Sequence, residues 1–314
     1  MHAAAINLRG GGVSPRNTRL RGQSIIEYVL IIAVIGLVIV FAGPGVAGAI
    51  RNQFSQVTNT VDSGTNGDNF ISAEEKAYRE AMKTVVNKDA KDWTLDEQKA
   101  AATDIAKNGT SSVAYAKAKA AMDAGTKFST KLTNGKAMEY RIIGINHDDL
   151  ADGSGKAGLT FEATNDAMDK QRMNATATNV GGWEKSELRG RLNSGDLWSL
   201  LPTEIQSKVK SVKKMTDNQG GGKAGTPSAT TDKIFLLSST EVYGDLQSDG
   251  TQYEYYQSKG VTAASYSGAS SSCLHGTRSV YPARSPYFRC VDSGGTVGLF
   301  YATDTYYVFP AWCF

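Results

Sequence analysis

Residues 25–42 read IIEYVLIIAVIGLVIVFA, 18 positions whose only ionisable side chains are Glu27 and Tyr28, both within the first turn of any helix they form. At about 1.5 Å of rise per residue the run spans about 27 Å, close to the hydrocarbon thickness of a bilayer. A helix buried in a small domain ordinarily keeps a polar stripe, and this run has none. A membrane-crossing helix is therefore expected. A cleavable secretory signal is the weaker alternative. Ala42, Gly43, Ala47 and Gly48 supply the small residues it needs, but the apolar core is long for a signal and carries an acid near its start.

Charge agrees with that expectation. The chain holds 34 Lys and Arg against 31 Asp and Glu, a formal net charge of +3. Arg9, Arg16, Arg19 and Arg21 precede the apolar run with no acid among them, so everything after residue 22 carries −1. The basic excess belongs to the tail, where it orients the N-terminus towards the cytoplasm and residues 50–314 outside. A near-neutral remainder implies no nucleic-acid partner.

The acid at position 27 carries the next step. A carboxylate in a bilayer or a dry helical bundle costs at least about 3 kcal/mol unless it is neutralised, so Glu27 implies a partner. Gly22-Gln23-Ser24-Ile25-Ile26-Glu27-Tyr28, with a basic leader before and an apolar run after, resembles the processing site of type IVb pilins of the Flp (Tad) class. The resemblance covers about residues 16–60. It implies that a prepilin peptidase cuts after Gly22, making Gln23 the new N-terminus, with Glu27 and Tyr28 serving filament assembly. The ammonium created on Gln23 of one subunit is a natural counter-charge for Glu27 of another. Val46, Ile50, Phe54 and Val57 then continue at helical spacing to about residue 61.

Residues 62–69, DSGTNGDN, read as a linker, and an alanine- and lysine-rich stretch follows to Gly125. Ser72 with Glu75, and Thr94 with Glu97, have capping-box spacing, which predicts helices over about 72–87 and 94–107, with a third over 111–124. Residues 64–75 also resemble an EF-hand loop. That resemblance implies calcium ligands at Asn66, Asp68, the Phe70 carbonyl, Ser72 and Glu75, although Gly64 stands where the first acid belongs and Asn69 where the turn glycine belongs. A capped helix accounts for Ser72 and Glu75 without metal.

From about residue 131 the pattern changes to short strands at 136–145, 158–163, 233–237, 287–291, 296–301 and 306–312. Leu188 and Leu192, then Ile205, Val209 and Val212, mark two short helices, and residues 218–231 read as a Gly/Ser/Thr-rich mobile loop. Ser186-Glu187-Leu188-Arg189-Gly190-Arg191-Leu192-Asn193, Phe235-Leu236-Leu237-Ser238 with Glu241, Arg284-Ser285-Pro286, Gly294-Gly295 and Pro310-Ala311 are similar to landmarks of a bacterial surface domain family of unknown function. That family is distantly similar to the C-type-lectin-like fold of formylglycine-generating enzymes. The resemblance implies no activity.

Catalytic chemistry is poorly provided for. After residue 22 the only histidines are His147 and His275, and HExxH, GxSxG and CxxC are all missing from the sequence. Gly220-Gly221-Gly222-Lys223 lacks both the first glycine and the final Ser/Thr of a phosphate loop. Cys273 and His275 have the spacing to share a strand face, but no orienting third group stands out. Three cysteines, Cys273, Cys290 and Cys313, allow at most one internal disulfide in any of three pairings. Asp148, Asp149 and Asp152 read as a solvated acidic turn. Tyr253, Tyr255, Tyr256, Tyr266, Tyr281 and Tyr287 are dense enough to suggest stacking on sugars or a protein interface.

The expected organisation is a leader over 1–22, a pilin-like helix over 23–61, a linker and helical spacer over 62–130, and a globular head over 131–314. The fold class expected is α+β, with a long N-terminal transmembrane helix, a short helical spacer and a mixed C-terminal head. The function expected is a pilin-like structural subunit of a type IVb or Tad-like filament, minor or at the tip, with a ligand-binding head and no enzymatic activity. Its expected partners are other pilin subunits, prepilin peptidase, the pilus assembly machinery, the membrane and a glycan or host-surface ligand. The location expected is the cytoplasmic membrane and then the cell surface. A membrane-anchored surface protein that never polymerises is the competing class.

Overall fold

Helical and strand periodicities alternate along the chain, and the computed structural model describes residues 71–244, 246–265 and 274–314. Three helices come first: α1 (Ala73–Val85), α2 (Leu95–Asn108) and α3 (Tyr115–Ala124). Each begins or ends on a local signal. Ser72 Oγ accepts from Glu75 N at α1, Thr94 and Glu97 form a reciprocal capping box at α2, and Gly125 closes α3 in the left-handed conformation. Strands β1 (Lys127–Lys131), β2 (Ala137–Ile145) and β3 (Leu159–Ala163) follow, then short helices α4 (Glu187–Ser194), α5 (Asp196–Leu200) and α6 (Thr203–Gln206). The remaining elements are β4 (Val212–Thr216), β5 (Ser228–Asp232), β6 (Ile234–Phe235), α7 (Ser239–Tyr243), α8 (Glu254–Ser258), β7 (His275–Val280), β8 (Tyr287–Val291), β9 (Val297–Tyr301) and β10 (Ala311–Cys313).

The strands form a five-stranded antiparallel sheet in the order β1-β2-β3-β10-β6, a hairpin of β4 and β5, and a three-stranded sheet β7-β8-β9. Residues far apart in sequence thus become neighbours: β10 inserts between β3 and β6, pairing Trp312 with Phe161 and Ile234. Tyr140, Phe161 and Trp312 cluster across three adjacent strands with ring centroids 5.0–5.9 Å apart, Phe161 stacked on Trp312 and Tyr140 edge-on to Phe161, and all are buried. At about 1.5–3 kcal/mol per fully buried large apolar side chain, this cluster is a major part of the driving force.

The helices expected as a spacer pack directly on this sheet. Ala101, Ala102 and Ile105 of α2 are fully buried, Tyr140 OH donates to Gln98 Oε1 at 3.1 Å, and Asn146 Nδ2 donates to the Ile105 carbonyl at 3.1 Å. Ser72–Phe314 accordingly forms one compact unit. A Cβ on Gly158 would lie 1.8 Å from the Ala102 carbonyl oxygen, so only glycine permits this approach of helix to strand.

Two expectations are corrected here. Among the described residues no helix is long and apolar enough to cross a membrane, which overturns the fold class built around a transmembrane helix and the single-pass membrane location drawn from it. The longest described helix, α2, has 14 residues and carries Asp96, Glu97, Lys99, Asp104 and Lys107. The 25–42 run, with Gly22, Gln23, Glu27 and Tyr28, lies outside the described residues. What is described is a mixed α and β fold in which the helical segment is part of the core.

β9 is the outer strand of its sheet, and its exposed edge is shortened by a turn. Tyr301 N donates to Asp304 Oδ2 at 3.1 Å and its carbonyl accepts from Asp304 N at 2.9 Å.

Gly158→Ala is expected to destabilise the protein by about 1–3 kcal/mol through overpacking. Gly190→Ala, in α4 with open space around the added carbon, is expected to be neutral or slightly stabilising. Urea midpoints of the two variants check both outcomes.

Candidate functional site

The densest polar constellation lies inside the molecule. Asp148, just after β2, Lys214 on β4, Glu241 on α7 and Arg278 on β7 are all buried, and they bring the two larger sheets and the hairpin to one point. Lys214 Nζ lies 2.6 Å from Asp148 Oδ1 and 2.5 Å from Glu241 Oε1. Arg278 grips Glu241 bidentately, through Nη1 to Oε2 and through Nη2 to Oε1 at 2.8 Å. Its other protons go to Thr216 Oγ1 and to the carbonyls of Met215, Leu236 and Asp249 at 2.8–3.1 Å. Asp148 also accepts from Thr160 Oγ1 at 2.6 Å and Tyr253 OH at 2.9 Å. Two positive and two negative groups cancel, and each is saturated with hydrogen bonds, the condition under which buried charge is tolerated.

Electrostatics follow from this closure. Burial opposes the Asp148 carboxylate, but the adjacent Lys214 ammonium outweighs it and holds the group well below the usual range. Burial likewise opposes Glu241, and Arg278 with Lys214 brings it down. Lys214 is raised because Asp148 and Glu241 together overcome its own desolvation. At the margin, His147 stacks on Tyr253 at 4.1 Å and bonds Glu254 through Nδ1 at 3.1 Å. Burial works against the imidazolium, but the Glu254 bond and the Asp148 charge raise its pKa overall.

Such a set has no open acid or base to offer a substrate; it clamps strands. The other sequence landmarks in this region are also structural. Arg189 Nε and Trp183 Nε1 both bind the Asp232 carboxylate, at 2.6 and 3.0 Å, and Asn193 clips the chain at Lys233 and Ile234. Among the described residues no group of three or more His, Cys, Asp or Glu is arranged to hold a metal. Ser72 and Glu75 are engaged as helix cap and as partner of Arg79 at 2.8 Å, while Asn66, Asp68 and Phe70 lie outside the described residues. Cys290 and Cys313 are free, buried thiols; burial pushes Cys290 up to about 12 and, with Asp148, raises Cys313 well above its ordinary value. Burial thus disfavours the thiolate form of both, and Cys273 lies outside the described residues. His275 is buried and stacked on Phe309 at 4.5 Å. Asp152 caps Ser154 and Asp149 pairs with Lys156, so only Asp148 of the acidic turn enters the interior. A groove of about 370 Å³ beside α3 is lined by four alanines together with Asp89, Lys91, Lys117 and Thr126, and its Lys117 ammonium is committed to the carbonyls of Val85, Val86 and Lys88.

The chemistry that does face solvent lies on β8 and β9. Register pairs Tyr287 with Tyr301 and Arg289 with Leu299. The tyrosine rings lie 4.5 Å apart, and Tyr301 and Leu299 are each 44% exposed. Arg289 Nε donates to Gln247 Oε1 at 2.8 Å, and its guanidinium sits 5.4 Å from the Tyr281 ring. The turn that carries Tyr281, Arg284 and Tyr287 is held from beneath by a fully buried Asn179, whose Nδ2 donates to all three carbonyls at 2.7–3.3 Å. Asn179 Oδ1 meanwhile accepts from Gly221 N at 2.7 Å, so the triple-glycine segment braces this turn. Tyr253, Tyr255 and Tyr256, expected with the other tyrosines at a surface, are buried instead, and Tyr266 lies outside the described residues. Arg289 and Tyr301 escaped notice because alternation in a strand marks a face without saying which side is covered.

Fold and site together define a mixed α and β domain with a closed polar centre and an open aromatic face. Residues 155–314 match the family described as Domain of unknown function (DUF6273), just over half of the chain, and the protein belongs to that family. The match includes Lys214, Glu241, Arg278 and the β8–β9 face, whereas Asp148 and helices α1–α3 precede it. No curated protein and no solved structure matches the chain.

Lys214→Met leaves Asp148 and Glu241 without their shared cation and is expected to cost about 3–5 kcal/mol in a urea titration. Depressed carboxylates contribute stability that is fully present above their unfolded value near pH 4 and lost as the pH falls through the folded one. The urea midpoint should therefore drop progressively below about pH 4, less steeply in Asp148→Asn, which starts from a lower value at pH 7. His147 shows the opposite sign: its contribution is present below about pH 6.5 and fades as the pH rises through the elevated folded value. Glu254→Gln should move the His147 imidazole titration, followed by NMR, downward.

Proposed function

We propose that the chain is a pilin-like structural subunit of a type IVb or Tad-like filament, in which residues 72–314 act as a rigid, non-enzymatic recognition head. The observation that carries the head reading is the closed state of its polar centre. Asp148, Lys214, Glu241 and Arg278 neutralise one another inside the core, while the exposed chemistry is an aromatic and cationic sheet face suited to contact. The filament reading rests on the sequence Gly22-Gln23-Ser24-Ile25-Ile26-Glu27-Tyr28 and on the counter-charge that cleavage after Gly22 would give Glu27. A head held together by buried ion pairs and covered by its own helices suits a part that is displayed and must not rearrange.

N-terminal sequencing of the protein from its native cell is the test. A mature chain beginning at Gln23 is expected; an intact residue 1, or a start within residues 42–48, overturns the filament reading. Glu27→Ala should leave processing at Gly22 unchanged and abolish incorporation into filaments, scored by the fraction of the protein recovered in sheared high-molecular-weight material.

A further inference from the structure

On the β8–β9 face Arg289 holds its charge in an unusual position. Its Nε is fixed by Gln247 and its plane lies near the Tyr281 ring, yet its two terminal nitrogens have no hydrogen-bond partner among the described residues. Half-buried, it is poorly solvated, and burial lowers its pKa even though the Asp249 charge and Tyr281 act in the opposite direction, so the group still gains from an added anion. The two carboxylates at the ends of the face do not supply one. Asp292 accepts from Gly294 N, Thr296 N and Thr296 Oγ1 at 2.6–2.9 Å, and Asp304 accepts from Tyr301 N.

We propose that the β8–β9 face binds carboxylate-bearing saccharides such as uronic-acid oligomers, with the free edge of Arg289 gripping the carboxylate and Tyr301, Tyr287 and Leu299 carrying the sugar ring. This rests on the reading of the head as a recognition module. A guanidinium with two free nitrogens matches the two oxygens of a carboxylate in a bidentate fork. The C–H faces of a pyranose pack on exposed aromatic and aliphatic surface, here Tyr301 and Leu299, each 44% exposed. An acidic peptide suits the site less well, because an extended chain needs a sheet edge and one end of the β9 edge, at Tyr301, is already occupied by Asp304. Asn179 acts as a positioning residue, since it holds the turn bearing Tyr281 and Tyr287.

Calorimetric titration of the full-length chain with tetragalacturonate, its uncharged galactose counterpart and poly-L-glutamate tests the proposal. Tetragalacturonate should bind, and the neutral tetrasaccharide at least about tenfold more weakly, the change expected from losing one charge-assisted contact. Arg289→Gln should lower uronate affinity by a similar factor. Leu299→Glu provides a second route: the position is exposed, so the fold tolerates it, and the new carboxylate sits across the strand pair from Arg289, where it competes with the ligand. It too should reduce binding at least about tenfold while leaving the melting temperature within about 2 °C. Absence of uronate binding, equal binding of the neutral sugar, unchanged affinity in Leu299→Glu, or poly-L-glutamate binding with the same dependence on Arg289 each overturns the proposal. A chain that begins at Gln23 but ignores uronate would keep the filament reading and lose this one; uronate binding by a chain with an intact residue 1 would do the reverse.

Discussion

Lys214 stands between two carboxylates in the centre of the domain, and the arrangement of the sheets depends on that contact. A lone ammonium there would be strongly desolvated, so the place of β4 depends on Asp148, just after β2, and Glu241, on α7, facing it. Glu241 in turn recruits Arg278 from β7, whose remaining donors bind backbone oxygens at the ends of β4 and β6 and in the loop after α7. Apolar contact among Tyr140, Phe161 and Trp312 supplies driving force without direction; the charge clamp supplies direction without much net energy. Together they permit one packing of the sheets over another.

How far this was legible in the sequence varied with the range of the interaction involved. Thr94 with Glu97 closes as the full capping box expected, whereas Ser72 caps α1 through Glu75 N alone and the Glu75 carboxylate turns to Arg79 instead. The strand expected over residues 136–145 is β2, and those expected near 158, 287 and 296 are β3, β8 and β9. By contrast Ile205, Val209 and Val212 suggested one helix, yet α6 ends at Gln206 and Val212 opens β4. β5 falls within the segment read as a mobile loop, since SATTD has no apolar alternation and is a strand only because β4 lies beside it. Tertiary pairing overrode local pattern in both places.

The site was less legible still, for a related reason. Lys214 occupies an inward position of a strand that the sequence does not announce, and nothing local tells that a lysine there meets two acids rather than water. The membrane expectation failed differently: it was drawn from residues 25–42, and no described helix carries it. Among the described residues, of the tyrosines singled out only Tyr281 and Tyr287 are at least partly exposed. The richest run, Tyr253 to Tyr256, turns inward, where Tyr253 and Tyr256 hydroxyls bind Asp148 and Glu162.

The small turn at Asp304 has a consequence for how copies of this molecule coexist. An outer strand with free backbone groups is an invitation to any other strand, and the invitation grows with local crowding. By occupying both backbone groups of Tyr301, Asp304 closes one end of the β9 edge to a neighbouring strand. Copies of the domain brought close together would find that end of the sheet already paired within its own chain.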